Sequence, residues 1–244
     1  MVRGKLPDGR ARDCAARVKD SQLPQRMAAE AIGAFAIVFF GCGAIMVAER
    51  FPGSISPSAI PVIFGLAVAA MIYALGHISG AHFNPAVTLA FAVSRHFPAR
   101  DVAAYWVAQC VGALLATGIL FLILPEGHLY GATVPSVPTI PAIAWEAVLT
   151  FFLMFVIMGV ATDTRAVGTM AGAAIGAAVM LGAFVGGRVT GASMNPARSL
   201  APAIAEGRMD VLWIYIAGPM CGAIVASLLY RWVRGNGMPP NDKT

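Results

Sequence analysis

Six long apolar runs, near residues 27–49, 60–78, 101–124, 142–161, 168–186 and 210–232, limit what this chain of 244 residues can become. About 20 apolar residues is the length of a helix that crosses the hydrocarbon core of a bilayer. Such a segment must be helical, because lipid offers its backbone groups no partners. Only 12% of the residues are charged, against roughly 25% in a soluble domain. With a mean hydropathy of +0.74, too little polar surface remains to coat a soluble fold. The apolar surplus must face lipid. Phe51-Pro52-Gly53, Pro125-Glu126-Gly127 and the stretch from Pro135 to Pro141 supply breaks between runs. The first run follows a 26-residue polar segment and reads as a span rather than a cleaved signal peptide.

The formal net charge of +5 raises the question of a nucleic-acid partner, but the basic residues form no stripe with interleaved aromatics. They cluster at the chain ends and in the links. With both ends on the inner side, Arg3, Lys5, Arg10, Arg12, Arg17, Lys19, Arg26, Arg95, Arg100, Arg165, Arg231, Arg234 and Lys243 fall inside. Arg50, Arg188, Arg198 and Arg208 fall outside. That bias is the positive-inside rule, and it predicts six spans with cytoplasmic termini. Residues 1–24 and 235–244 read as polar tails around a single domain, 25–234. Cys14, Cys42, Cys110 and Cys221 show no metal-site or disulfide spacing, and no cofactor is indicated.

Two shorter apolar stretches, 84–93 and 195–205, open alike: Asn84-Pro85-Ala86 and Asn195-Pro196-Ala197. Asn is a preferred N-cap and Pro suits the first helical turn, so each motif predicts a sharp helix start. Each helix would be about 15 Å long, half a bilayer. The halves also repeat. Ala29-Glu30-Ala31-Ile32 with Phe35 parallels Trp145-Glu146-Ala147-Val148 with Phe151. Gln109-Cys110-Val111-Gly112-Ala113 parallels Pro219-Met220-Cys221-Gly222-Ala223. Each repeat, about 27–124 and 142–232, holds three spans and one half-helix. Three is odd, so the second repeat runs inverted, and such repeats build a shared site near the midplane. The half-helices are then expected to meet end to end, each N-terminus carrying about half a positive charge. Asn84 and Asn195 are expected to donate their amides to a passing oxygen there, and cations meet an electrostatic barrier. Arg198, one turn beyond Asn195, is expected to hang into the outer pore; an Arg at that depth is tolerated where it lines a wet cavity. Glu30 and Glu146 are expected to accept N–H bonds from the irregular loops before the half-helices.

The segments His77-Ile78-Ser79-Gly80-Ala81-His82-Phe83-Asn84-Pro85-Ala86-Val87-Thr88 and Gly191-Ala192-Ser193-Met194-Asn195-Pro196-Ala197-Arg198-Ser199 resemble the two signatures of the aquaporin, or major intrinsic protein, family. The resemblance covers about residues 25–234 and is nearest to the nodulin-like branch and its bacterial relatives. It implies an all-α transmembrane fold of six tilted spans plus two half-helices, one pore per subunit, and a homotetramer in a bilayer, with a bacterial inner membrane as the expected setting. It also implies a four-residue selectivity filter, which an ungapped count places at Phe64, Ala183, Ala192 and Arg198. Water-selective members resemble Phe, His, a small residue and Arg; here Ala183 stands in the His position. The pattern implies a wider opening for glycerol, urea or neutral hydroxy acids of boron, silicon or arsenic, with some water. A water-selective pore is the alternative.

Two other classes fit less well. An ion-coupled transporter needs buried ionisable groups beyond Glu30 and Glu146. An enzyme needs a nucleophile–base set or paired acids, and none is spaced for it. His77 and His82 are five apart and share no helix face, so they do not read as metal ligands; His82 is expected at the inner vestibule. His96, His128 and Arg188 read as solvated.

Overall fold

The structure, a computed structural model, describes residues 22–124, 130–163 and 165–235. The tails, save residues 22–24 and Gly235, and His128 lie outside the described residues.

Among the described residues, six helices are long and apolar enough to span a bilayer, and two short α-helices lie between them. The first half contains α1 (Leu23–Arg50), α2 (Ala59–Ser79), the half-helix α3 (Pro85–Val93) and α4 (Val102–Ile123). The second contains α5 (Thr139–Ile157), α6 (Ala171–Gly186), the half-helix α7 (Pro196–Glu206) and α8 (Ile214–Arg234). A π-helical turn, Met158–Thr162, extends α5. The expected start of the first span at 27 is corrected to Leu23. Gln22 and Gln25 form a reciprocal capping box and Pro24 sits in the first turn, so the helix takes in the polar residues ahead of its apolar run. Arg26 is held in that extension by Asp101 at 2.8 Å.

The packing has the twofold pattern of an inverted repeat. α1 packs on α2 and α4; α5 packs on α6 and α8 in the same way, and α2 meets α6 across the pseudo-axis. Each half-helix packs chiefly on the third span of the opposite half, α3 on α8 and α7 on α4. The two halves are therefore interlocked rather than juxtaposed. Small residues permit the closest crossings. A Cβ on Gly112 of α4 would strike the carbonyl of Ala31 on α1; one on Gly222 of α8 would strike Ala147 on α5. Large apolar residues such as Leu66, Leu122, Phe152, Leu181 and Trp232 are exposed on the outer faces, the inverse of a soluble core.

Candidate functional site

Both half-helices begin where the motifs place them. Asn84 is extended (φ −153°, ψ 121°), and its Oδ1 accepts from Ala86 N at 2.9 Å. Asn195 is alike (φ −151°, ψ 108°); its Oδ1 accepts from Ala197 N at 3.0 Å and Arg198 N at 3.4 Å. The caps face each other. Asn84 Nδ2 donates to the carbonyl of Met194 at 2.7 Å, and Asn195 Nδ2 donates to that of Phe83 at 2.9 Å. This modifies the expectation that each amide is wholly free for the pore. One hydrogen of each NH₂ ties the loops together, because an unpaired carbonyl at that depth is costly. One hydrogen per Asn remains as a donor.

The segments leading into the half-helices are held in an uncommon backbone form. Ala81, Phe83, Ala192 and Met194 all have positive φ, between 44° and 53°. Non-glycine residues adopt this only where the surroundings over-determine it. Two carboxylates, both fully buried, provide that hold. Glu30 accepts from His82 N (3.0 Å), Phe83 N (2.6 Å), Ser79 Oγ (2.7 Å) and Gln109 Nε2 (2.8 Å). Glu146 accepts from Ser193 N (2.9 Å), Met194 N (2.8 Å) and Thr190 Oγ1 (2.6 Å). With their N–H groups turned to a carboxylate, these segments leave carbonyls to face elsewhere. Among the described residues, no protein donor reaches the carbonyls of Gly80, Ala81, His82, Gly191, Ala192 or Ser193. They form two short rows of acceptors flanking the paired asparagines.

The repeat carries further supports that motif reading missed. Tyr105 OH donates to Ser79 O, and Tyr215 OH donates to Thr190 O, each at 2.7 Å. His82 Nδ1 pairs with Thr88 Oγ1 at 3.1 Å, where Ser193 Oγ pairs with Ser199 Oγ at 2.5 Å. Aligning the halves at an offset of about 110 residues would have revealed these pairs. The alignment fails at Gln109, whose counterpart is Pro219. Glu30 thus has a fourth donor that Glu146 lacks.

The four residues expected to form a filter lie as follows. Arg198 is buried, its guanidinium carbon 5.1 Å from the centre of the Phe64 ring. Its Nη1 donates to the carbonyl of Gly131 at 2.7 Å. The guanidinium is therefore pinned by a carbonyl at one end and a ring beside it, because a cation at this depth needs partners. Ala192 is buried, at the left-handed bend ahead of Asn195. Ala183 lies half-buried on α6 against the core. Its neighbours face otherwise: Gly182 abuts Met194 and Leu149, and Phe184 is 51% exposed on the outer surface. His82 is almost fully buried, its ring centroid 4.7 Å from Phe91, 4.8 Å from Phe97 and 5.1 Å from Tyr105. His96 and Arg188 are exposed. Although His96 as a residue is exposed, its ring packs near Phe91 and bonds Ser94 Oγ, and this partial desolvation, with the nearby charges of Arg231 and Arg234, lowers its pKa.

Comparisons with known proteins agree with this architecture. The family model described as Major intrinsic protein matches residues 17–230. Nodulin-26 of Glycine max is 47% identical over 221 residues, covering 90% of this chain and 82% of that protein. Aquaporin NIP1-1 of Zea mays is 43% identical over 245 residues, covering 100% and 87%. The X-ray structure of the aquaglyceroporin from Plasmodium falciparum shares the fold at a TM-score of 0.78 and 24% identity, covering 86% of this chain and 96% of that one. The expected bacterial inner membrane draws no support from these relatives, of which the first two are plant proteins. The chain belongs to the major intrinsic protein family, the aquaporin channels, and is an integral multi-pass membrane channel for water and small neutral solutes rather than an enzyme.

Proposed function

We propose that this channel favours solutes the size of glycerol or urea, or neutral hydroxy acids of metalloids, over water alone. The observation that carries the reading is the Arg198 guanidinium held over the Phe64 ring at 5.1 Å, which supports an outer constriction of one aromatic wall, one fixed cation and the two methyl groups of Ala183 and Ala192. A hydroxylated solute lays its carbon face along Phe64 and the alanines. Its oxygens accept from the guanidinium and donate to free carbonyls. Deeper, its oxygen accepts from Asn84 and Asn195, whose helix ends make the centre positive. Cations, hydronium among them, are repelled there, and an oxygen accepting two hydrogen bonds does not relay a proton. His82, packed among Phe91, Phe97 and Tyr105, shapes the inner vestibule by position rather than charge.

The excess of Lys and Arg on one side supports cytoplasmic termini. The exposed apolar faces need lipid or neighbouring copies, which supports the homotetramer implied by the family resemblance. Stopped-flow light scattering of proteoliposomes under a glycerol gradient tests the solute reading. Fast shrinkage followed by fast recovery, above the protein-free control, is expected. Shrinkage without recovery would leave a water-selective pore in its place.

A further inference from the structure

Arg198 is held at its tip by a backbone carbonyl, and that carbonyl has its own support. Gly131 belongs to the stretch that enters α5, and its backbone is left-handed (φ +73°). A Cβ on it would lie 2.6 Å from Cys42 Cβ and 2.9 Å from Cys42 Cα and Sγ. Cys42 is fully buried on α1, its Sγ 3.8 Å from the Gly131 carbonyl that takes Arg198 Nη1. The stretch is tied twice more. Thr133 Oγ1 pairs with Ser199 Oγ at 2.7 Å, one residue beyond Arg198, and Ser136 N donates to Val189 O at 2.9 Å. Residues 131–136 therefore form a strap from α1 across to α7 and the segment before it. Both ends of the contact are stiff. Cys42 sits on a spanning helix and cannot retreat, and Gly131 is tethered on its downstream side.

We propose that Gly131, resting on Cys42, sets how far Arg198 projects into the outer opening, so that this strap is a specificity-determining element outside the four filter positions. The proposal rests on Arg198 lining the filter. Adding a methyl at Gly131 must push the strap away by about 0.8 Å, the difference between 2.6 Å and ordinary contact at 3.4 Å. The Arg198 bond then stretches from 2.7 Å to about 3.5 Å, beyond hydrogen-bond range. The freed guanidinium turns into the opening and obstructs bulky solutes more than water. Gly131 and Cys42 are positioning residues that touch no solute; they act through Arg198.

The test uses the full chain in proteoliposomes, with glycerol and water permeability measured separately and tetramer elution and Tm as folding controls. Gly131→Ala is expected to lower the glycerol-to-water ratio about tenfold, the scale of one charge-assisted hydrogen bond. Cys42→Gly added to it is expected to recover part of the ratio, by removing Cβ and Sγ, two of the three atoms the new methyl meets, while the Cα at 2.9 Å and the left-handed backbone at 131 remain. In an Arg198→Ala background, Gly131→Ala should change the ratio no further. Cys42→Ala alone, which lets the strap settle inward, should raise the ratio, and it decides the matter should Gly131→Ala fail to fold. An unchanged ratio in either single variant, or the same change with and without Arg198, overturns the proposal. If Arg198→Ala itself leaves the ratio unaltered, the filter reading fails instead.

Discussion

Glu30→Gln isolates what holds the first pore loop. In the native protein one oxygen of Glu30 accepts from Ser79 Oγ and His82 N, and the other from Phe83 N and Gln109 Nε2. All four are donors, so the site is built for a carboxylate. Glutamine has nearly the same shape but offers one carbonyl. Its least costly orientation keeps that carbonyl on Phe83 and Gln109 and turns its NH₂ toward Ser79, whose hydroxyl can rotate to accept. His82 N–H then faces a second donor and has no partner. Hydrogen bonds to charged groups are worth about 1.5–3 kcal/mol, and a buried unpaired donor costs a similar amount. The loss of one such bond and the weakening of the others come to about 3 kcal/mol. For a chain of this size that lowers Tm by about 6–12 °C. The loop also gains freedom at His82 and Phe83, next to Asn84, so water and solute flux should fall together. Thermal unfolding in detergent and stopped-flow flux measure the two effects. Glu146→Gln should behave nearly alike, since Thr190, Ser193 and Met194 repeat the arrangement, with a slightly smaller loss because no fourth donor is present. A Glu30→Gln protein with native Tm and flux would refute the account, since it would mean that the pair of acceptor oxygens on Glu30 is not what shapes the loop.

Ala183→His should cut glycerol flux severalfold while leaving water flux nearly intact; unchanged glycerol flux would remove Ala183 from the filter. Gly112→Ala should reduce the yield of folded protein sharply, since the new methyl meets the Ala31 carbonyl, whereas Gly118→Ala on the same helix, with open space around it, should be neutral in Tm. Asp163 is held well below the usual carboxylate range, chiefly by its hydrogen bonds with Arg165 and also by the charge of Arg234. A depressed folded pKa contributes stability above the ordinary value near 4 and loses it as pH falls below that. Asp163→Asn should therefore lower Tm equally at pH 5 and pH 8, and the gap to the native protein should close only below about pH 4; a gap that varies between pH 5 and 8 would contradict this.

Much of this protein is determined by signals that act within one turn or one run of chain. Run length and apolarity mark the six spans, because lipid leaves a backbone no alternative to the helix. Asn followed by Pro marks the starts of α3 and α7, because capping and a missing N–H are local matters. The duplication of Glu30 and Glu146 together with those motifs indicates the inverted halves. The first span shows the limit of apolarity as a guide: its polar opening at Leu23–Arg26 is helical through a capping box and a distant partner, Asp101. What only the tertiary structure decided lies in contacts between residues far apart in the chain. Asn84 and Asn195 each spend one amide hydrogen on a carbonyl more than a hundred residues away. Each half-helix leans on the opposite repeat, and Arg198 is anchored by Gly131 from a link that motif and periodicity leave blank. Such partners are chosen by which buried donors and acceptors come within 3 Å once the helices interlock, and in a low-dielectric interior that pairing is enforced by the cost of leaving any of them unmade.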